Sequence, residues 1–524
     1  MMEWPPIPAD SKGTLLMLEY IDRLLDRITM YRLLLYYLIG LVIAAMGLGF
    51  FHVLEYSPYQ IGVSTIVLVT ACWIINKIFA FIFRAPTNFE SSLITALILD
   101  LIIAPFMGSA PLAAGFLMAA SGLAMASKYV LTVNKKHVFN PAAIAVVLTA
   151  LGPRQSANWW IGTSAMLPFV LIGGLLLVRK IHRERMVFTF FASALIATIV
   201  YAILSGNSPI SALDKTVMTS AMFFLGFVML TEPLTTPPTA PRQTWYAVLM
   251  GIMFPPQFHI LSLYSTPELA LITGNLFSFI ISPRVKLFPT FTQKTRIAPD
   301  CIDFIFNPNR KFSYEPGQYM EWTLNHEGRD SRGDRRYFTL ASSPTENDIR
   351  IGVKFREHGS SYKEAMLGMV KDTPIVADHI SGDFTMPKDQ KEKLVFIAGG
   401  IGITPFRSMI KYLIDKNEHR TVTLLYSART KPDFSYTDVF EQARQSLGIQ
   451  TFYAFTGKEN VPQNKYCWKG RITAEMIKQN VPDYMERTFY ISGTQAMVHS
   501  MRHTLYGLGV PKNQTKVDYF SGYS

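Results

Sequence analysis

Apolar residues run almost unbroken through the first half of the chain and alternate with polar ones in the second. Up to about Leu287 long apolar stretches follow one another, each near the length that a hydrocarbon core of about 30 Å requires. About ten spans can be drawn on that criterion, beginning near Tyr31, Tyr59, Ser91, Ala110, Val138, Asn158, Met186, Val217, Gln243 and Pro267. The fifth opens with "HVFNPAA". Asn140–Pro141 inside apolar sequence predicts a broken or re-entrant helix whose freed backbone groups face protein or a cofactor. Residues 1–285 are therefore expected to form a polytopic α-helical membrane domain.

From about Phe291 the pattern changes to short alternating strands separated by turns: "FSYEPGQYMEWTL", "RRYFTLASSP", "IRIGVKF" and "ADHISGDFTMP". About six such strands predict an antiparallel β-barrel over residues 286–388. "KLVFIAGGIGITPFRSMIKYL" then reads as strand, glycine-rich turn and helix, and "TVTLLYSART" and "RTFYISGTQAM" repeat the strand-then-turn theme. That order predicts a parallel α/β sheet over residues 389–524.

Composition sharpens this division. Charged residues are 17% of the chain, below the roughly 25% of an average soluble protein. The formal charge of +12 would suit nucleic acid, but Arg179, Lys180, Arg183 and Arg185 cluster at the ends of apolar runs, as membrane topology requires. No nucleic-acid partner is expected; the lipid bilayer is. With the N-terminus inside, the outer loops hold only Arg154 and Lys215, so both termini are placed on the cytoplasmic side of an inner or cytoplasmic membrane. No cleavable signal pattern precedes the first span. Cys72, Cys301 and Cys467 are too few for a four-Cys iron–sulfur cluster. His52 and His259 fall near outer span ends and His137 and His182 near inner ones, so no pair sits at matching depth and no haem or other metal is expected. Asp100, at membrane depth, either serves a function or hydrogen-bonds inside the bundle.

"KKHVFNPAA" and "TSAMFFLGFVMLTEPLTTP" resemble the family of membrane flavin subunits found in two related respiratory complexes, the sodium-pumping NADH:quinone oxidoreductase and the Rnf complex. The resemblance covers roughly residues 30–285. It implies flavin within the membrane, but the Ser-Gly-Ala-Thr-like attachment motif is missing from "LGPRQSAN". Covalent FMN is therefore not expected, and Asn140, Thr231 and Glu232 are the candidate positions for a second, non-covalent flavin.

The second half resembles the ferredoxin–NADP reductase family over residues 290–524. The family's flavin motif, Arg-x-aromatic-(Ser/Thr)-x-x-Ser, is met by Arg336, Phe338, Thr339 and Ser342. The resemblance implies FAD, with Arg336 on its pyrophosphate, an aromatic ring on the isoalloxazine and the Thr339 hydroxyl at N5. Tyr337 offers a competing register for the ring. Val353 joins this set, as do Gly359, Ser360 and Ser361, which open a helix suited to phosphate. Gly399, Gly400, Gly402, Thr404 and Pro405 form the nucleotide turn. Ser492, Gly493 and Thr494 stand where the family has Cys-Gly-Pro beside the nicotinamide, making Ser492 a catalytic candidate with Thr339. Ser427 and Arg429 end the second strand of the sheet; a carboxylate there would take the 2′-OH of NADH, whereas Ser and Arg suit a 2′-phosphate. NADH and NADPH both stay open. Phe520, in the terminal "DYFSGYS", shields the flavin or simply packs on the barrel.

Together these features predict a membrane-bound NAD(P)H-oxidising flavoenzyme. Electrons would pass from cytoplasmic NAD(P)H through FAD to the membrane domain, and on to quinone or a redox partner across the membrane. The alternative is a reductase module merely anchored by, or coupled to, a transport-type bundle.

Overall fold

The computed structural model describes residues 21–22, 24–25, 28–83, 89–105, 110–133, 136–152, 156–260, 263–282, 286–328, 330, 334–355, 359–457 and 461–520. Lys135, Arg154 and Tyr523 lie outside the described residues. The chain divides into two compact units, residues 1–284 and 285–524.

Helices build the first unit. Pro58 enters its helix behind a Ser57/Gln60 capping box, and Pro267 follows a Thr266 cap; proline suits that first position because its missing N–H would have no intrahelical partner. Met30–Phe50, Pro58–Ile82 and Glu184–Leu204 are long and apolar enough to cross a membrane. Their outward residues are also apolar, with Phe81 87% and Leu204 76% exposed. That surface would be a liability in water and is suited to lipid.

The expectation of about ten spans is corrected by these lengths. Among the described residues three helices qualify, or four if Pro209–Met218 and Met222–Met229, bent by 58°, are one broken span. Phe89–Ile102 and Ala240–Met253 have 14 residues each and Pro141–Leu151 has 11. At 1.5 Å per residue a 14-residue helix covers about 21 Å, short of a bilayer core. Counting apolar letters overestimated these segments because it included residues outside the helix, such as Phe254 and Pro255 after Met253. Inside the unit, Phe191 packs against Phe223 and Phe227 with ring centroids 5.1 Å apart in both pairs.

The second unit starts with two antiparallel sheets around one core. One contains Thr290–Ala298, Cys301–Asn307 and Ile349–Lys354; the other contains Lys286–Leu287, Val376–Ser381, Tyr319–Thr323 and Arg335–Thr339. Phe304, Phe306, Met320, Trp322 and Tyr362 fill the space between them. A six-stranded sheet follows, in the spatial order Cys467–Lys469, Gln450–Phe455, Val422–Ala428, Leu394–Gly399, Thr488–Thr494 and Thr515–Phe520, with every pairing parallel. The central strand shows why its apolar run is continuous. Leu394, Phe396 and Ala398 enter the core on one face, while Val395 and Ile397 enter the core on the other. A strand buried on both sides has no polar face to show.

Candidate functional site

The six-stranded sheet reverses its order at Leu394–Gly399. The next three strands in sequence step away on one side, and Thr488–Thr494 returns on the other. Such a reversal leaves a crevice at the carboxyl ends of the two adjacent strands. The turn Gly400–Ile403 and the strand end at Ser492–Thr494 lie there.

Glycine is required at two positions in this crevice. A Cβ on Gly402 would stand 2.5 Å from the Ser492 carbonyl oxygen, and Gly400 has φ +54°. A Cβ on Gly399 would meet the Met497 sulfur at 2.0 Å, so that glycine accommodates a neighbouring thioether. Thr404 and Pro405 start the helix Thr404–Lys416, and the Thr404 hydroxyl donates back to the Ile401 carbonyl at 3.2 Å. The Ser492 hydroxyl is fully buried and makes no hydrogen bond. A buried hydroxyl without a partner is costly, which fits a site built to meet a polar ligand such as a nicotinamide amide.

Arg336 and Phe338 face the same way on their strand, paired with Trp322 and Met320. The Arg336 guanidinium lies 5.0 Å from the centre of the Tyr362 ring, and the Phe338 ring lies 6.1 Å from it. Tyr337 turns to the opposite face, where its hydroxyl donates to Glu321 at 2.5 Å. Ser360 caps the helix Ser361–Leu367 by accepting from Lys363 N–H at 3.3 Å, and Gly359 precedes it. The Ser361 N–H donates to the Asp330 carboxylate at 3.0 Å, with Arg336 4.0 Å from the same residue. These donors thus already hold one anionic group, which is the chemistry a pyrophosphate demands of them. FAD fits the donor set on that ground.

The other expected positions lie as follows. The Ser342 hydroxyl accepts from Arg350 N–H at 3.1 Å and lies 3.0 Å from the Tyr314 hydroxyl. Val353 is buried in the barrel core opposite Ile302. Thr339 is buried at its strand end, opposite Tyr319. Phe520 pairs through its backbone with Thr494; its side chain lies outside the described residues.

Sequence reasoning passed over a buried network that joins the barrel to the sheet. The Arg407 guanidinium forks onto Glu346, with one bond of 2.9 Å, and also donates to the Ala341 carbonyl at 2.9 Å. Tyr436 donates to Asp303 at 2.9 Å, and Arg350 reaches the same carboxylate at 3.3 Å. The polar residues among apolar ones in "IDFIF" and "TPFRSMI" were the available signal.

In the first unit Asn140 and Glu232 come together, while the hydroxyl of Thr231, next to Glu232 in the chain, bonds within its own segment. The Asn140 amide donates to Glu232 at 2.8 Å while its carbonyl oxygen caps the helix Pro141–Leu151. His137 lies 3.3 Å from the other Glu232 oxygen, and Asn275 accepts from the Asn140 N–H at 2.8 Å. The Thr231 hydroxyl bonds back to the Phe227 carbonyl at 2.8 Å. His137 and Asn275 complete this cluster; Asn275, a lone amide in an apolar helix, could have been found by that contrast. Asp100 is buried and accepts from Thr65 at 2.5 Å.

Residues 396–503 match the oxidoreductase NAD-binding domain. The matched segment runs from within the central strand into the helix Gln495–Gly507. The chain is also similar to a flavohemoprotein of Bacillus cereus, 27% identical over 222 residues, which are 40% of this chain and 53% of that protein. It is similar to the reductase component of propane 2-monooxygenase of Rhodococcus jostii, 26% identical over 243 residues, 44% of this chain and 63% of that one. The chain thus spans 53% and 63% of the length of these two relatives. Among solved structures, the flavohem-like FAD/NAD-binding domain of nitric oxide dioxygenase from Vibrio cholerae matches with TM-score 0.40 and 20% identity, covering 45% of this chain and 99% of that one. The second unit thus contains an oxidoreductase NAD-binding domain and is similar in sequence to the reductase parts of these proteins.

Proposed function

We propose that this protein is a membrane flavoenzyme that oxidises NADH or NADPH and delivers the electrons to its helical unit, and from there to quinone or to an acceptor across the membrane. The observation that carries the reading is the crevice between Gly399–Ile403 and Ser492–Gly493, whose buried hydroxyl lacks a partner, within the segment that matches the oxidoreductase NAD-binding domain.

Each residue has a task in this reading. Gly400 and Gly402 let the backbone approach a dinucleotide, and the helix beginning at Thr404 turns its positive end to the phosphates. Ser492 offers a hydroxyl beside the nicotinamide. Arg336, Ser360 and Ser361 hold the FAD pyrophosphate, Phe338 lies against the ring system, and Thr339 directs its hydroxyl to N5. FAD bound there supplies acceptance of an electron pair and release of single electrons. The apolar surface of the long helices supports a multi-pass inner or cytoplasmic membrane location, and oxidation of cytoplasmic NADH or NADPH calls for the reductase module on the cytoplasmic side. The likeness of "HVFNPAA" and "FLGFVMLTEPLTTP" to respiratory flavin subunits supports electron entry into the helical unit. A core of about 30 Å is too wide for one fast hop, so that route requires a second flavin near Asn140, Thr231 and Glu232.

The partners of Glu232 favour a second reading. Its oxygens are engaged by His137, Asn140 and Thr235, which leaves this cluster the character of a structural joint and makes the bundle an anchor.

Flavin counting separates the two. The full-length, detergent-purified chain should yield FAD plus a second flavin under the conduit reading, and FAD alone under the anchor reading. No flavin, with no oxidation of NADH or NADPH, would end both.

A further inference from the structure

Only residues 282–285 separate the apolar helix Pro267–Ile281 from the first strand of the second unit, Lys286–Leu287. Five residue steps reach at most about 18 Å, so the barrel begins close to where an apolar helix ends. The strand is tied into the barrel at once, with Leu287 paired to Ala377 and Lys286 to Asp378. The barrel surface around Lys286 is therefore tethered near any membrane that this helix occupies.

Hydrogen bonds gather three stretches of chain at that point. The Arg310 guanidinium donates to the Lys286 carbonyl at 3.0 Å, and Phe288 N–H donates to the Asn309 side chain at 2.9 Å. Ile375 N–H donates to the Pro289 carbonyl at 3.1 Å and Phe291 N–H to the Thr373 carbonyl at 3.0 Å. The Lys294 ammonium donates to the Leu367 carbonyl. On the rim so assembled Phe288 and Leu367 are each 38% exposed and Val370 is 70% exposed. Asp378 stands opposite Lys286 in the sheet, and Glu364 and Asp372 are exposed. Against these two acids stand Lys294, Arg310, Lys311 and Lys371, all exposed, so the rim is basic.

Apolar side chains ringed by cations suit a surface that lies on anionic lipid. The apolar groups enter the headgroup layer and the cations stay with the phosphates. The candidate flavin and nucleotide residues lie elsewhere: Leu367 ends the helix that Ser361 begins, so the rim is at the far end of that helix from the expected pyrophosphate. We propose that this rim, with Phe288, Leu367 and Val370 at its centre, docks on the anionic headgroups of the membrane that holds the helical unit. A separate protein partner would have to enter beside a four-residue connection, which favours lipid as the occupant. Docking would hold the barrel on the bilayer through side chains as well as through the chain itself. The proposal rests on the membrane reading of the helical unit and goes beyond it in naming a second contact and its lipid class.

A fluorophore sensitive to water, attached through Val370→Cys, tests the docking in the full-length protein. Cys72 and Cys301 are buried, and Cys467→Ser removes the partly exposed thiol. The protein is placed in lipid nanodiscs of phosphatidylcholine alone or mixed with an equal part of phosphatidylglycerol. Gln479→Cys, exposed on the helix Ala474–Asn480 of the parallel-sheet domain, carries the control label. In the anionic discs alone, the label at position 370 should shift to the blue and be shielded at least about twofold from acrylamide. The label at position 479 should behave alike in both. Salt at about 1 M, which cuts the screening length to about 3 Å, should abolish the shielding, as should Lys294→Glu combined with Lys371→Glu. The salt measurement stands even where the double variant fails to fold. Equal exposure at position 370 in both discs, or shielding that survives salt, would overturn lipid docking while the membrane reading stood. A chain that does not enter nanodiscs at all would overturn both.

Discussion

Gly402 is packed so closely on Ser492 that a single methyl group would reach 2.5 Å from the serine carbonyl oxygen and 2.7 Å from the Gly493 Cα. Backbone meets backbone here, so neither side can yield by rotating a side chain. Gly402→Ala should therefore push the turn away from the strand end. The expected cost is about 1–3 kcal/mol of stability, together with a rise in KM for NAD(P)H larger than the change in kcat. Steady-state kinetics beside a thermal melt would check this; an unchanged KM would show that the turn does not seat the nucleotide.

The Arg407–Glu346 fork is buried, with the Arg407 side chain only 6% exposed. Removing one partner leaves a charge in a site that cannot hydrate it. Glu346→Gln should destabilise the second unit by roughly 3–5 kcal/mol, visible as a lower thermal midpoint. Replacing both residues by apolar ones of similar size should recover part of the loss. A single variant with an unchanged midpoint would show that water reaches the pair.

Cys301 gives a pH dependence. Burial, reinforced by Asp300 beside it, pushes its thiol up to about 12, whereas a free thiol titrates near 8.5. Ionisation is disfavoured in the folded state, so the stability this thiol contributes is complete below about pH 8.5 and is lost as pH rises toward 12. Cys301→Ala should flatten the alkaline part of the stability–pH curve. Native protein at pH 8 should also resist alkylation at Cys301 until it is denatured; rapid labelling of the folded chain would contradict the burial.

Thr339 sits at the end of the strand Arg335–Thr339 and is proposed to reach the flavin. Thr339→Val keeps its shape and removes its hydroxyl. Flavin content should be unchanged while the rate of flavin reduction by NAD(P)H, read by stopped-flow absorbance, falls about tenfold, the effect of one lost hydrogen bond worth about 1.4 kcal/mol. An unaltered rate would remove Thr339 from the reaction.

The long helices expose apolar faces, including Phe81 and Leu204. The chain should stay in the membrane fraction through an alkaline carbonate wash and require detergent for release. Release by carbonate alone would mean that the faces are covered by protein.

The amino-acid sequence by itself determined the division into an apolar half and an alternating half, the parallel sheet, and the glycine turn at Gly399–Gly402. These are local properties: a buried strand must be apolar on both faces, and a turn pressed against another backbone must lack a side chain. The interruption at Asn140–Pro141 was legible for the same reason, but that Asn140 caps a helix beginning at Pro141 came only from the structure. What only the tertiary structure decided involves partners distant in the chain. Sequence could not say that Asp330 would stand at the Ser361 N–H, that Ser342 would be tied to Tyr314 and Arg350, or that Arg471 would share a pocket with Arg429. Nor could it set helix lengths in the first unit. An apolar residue beyond a helix end is as hydrophobic as one inside it, and only the backbone shows which residues contribute 1.5 Å each toward crossing the bilayer.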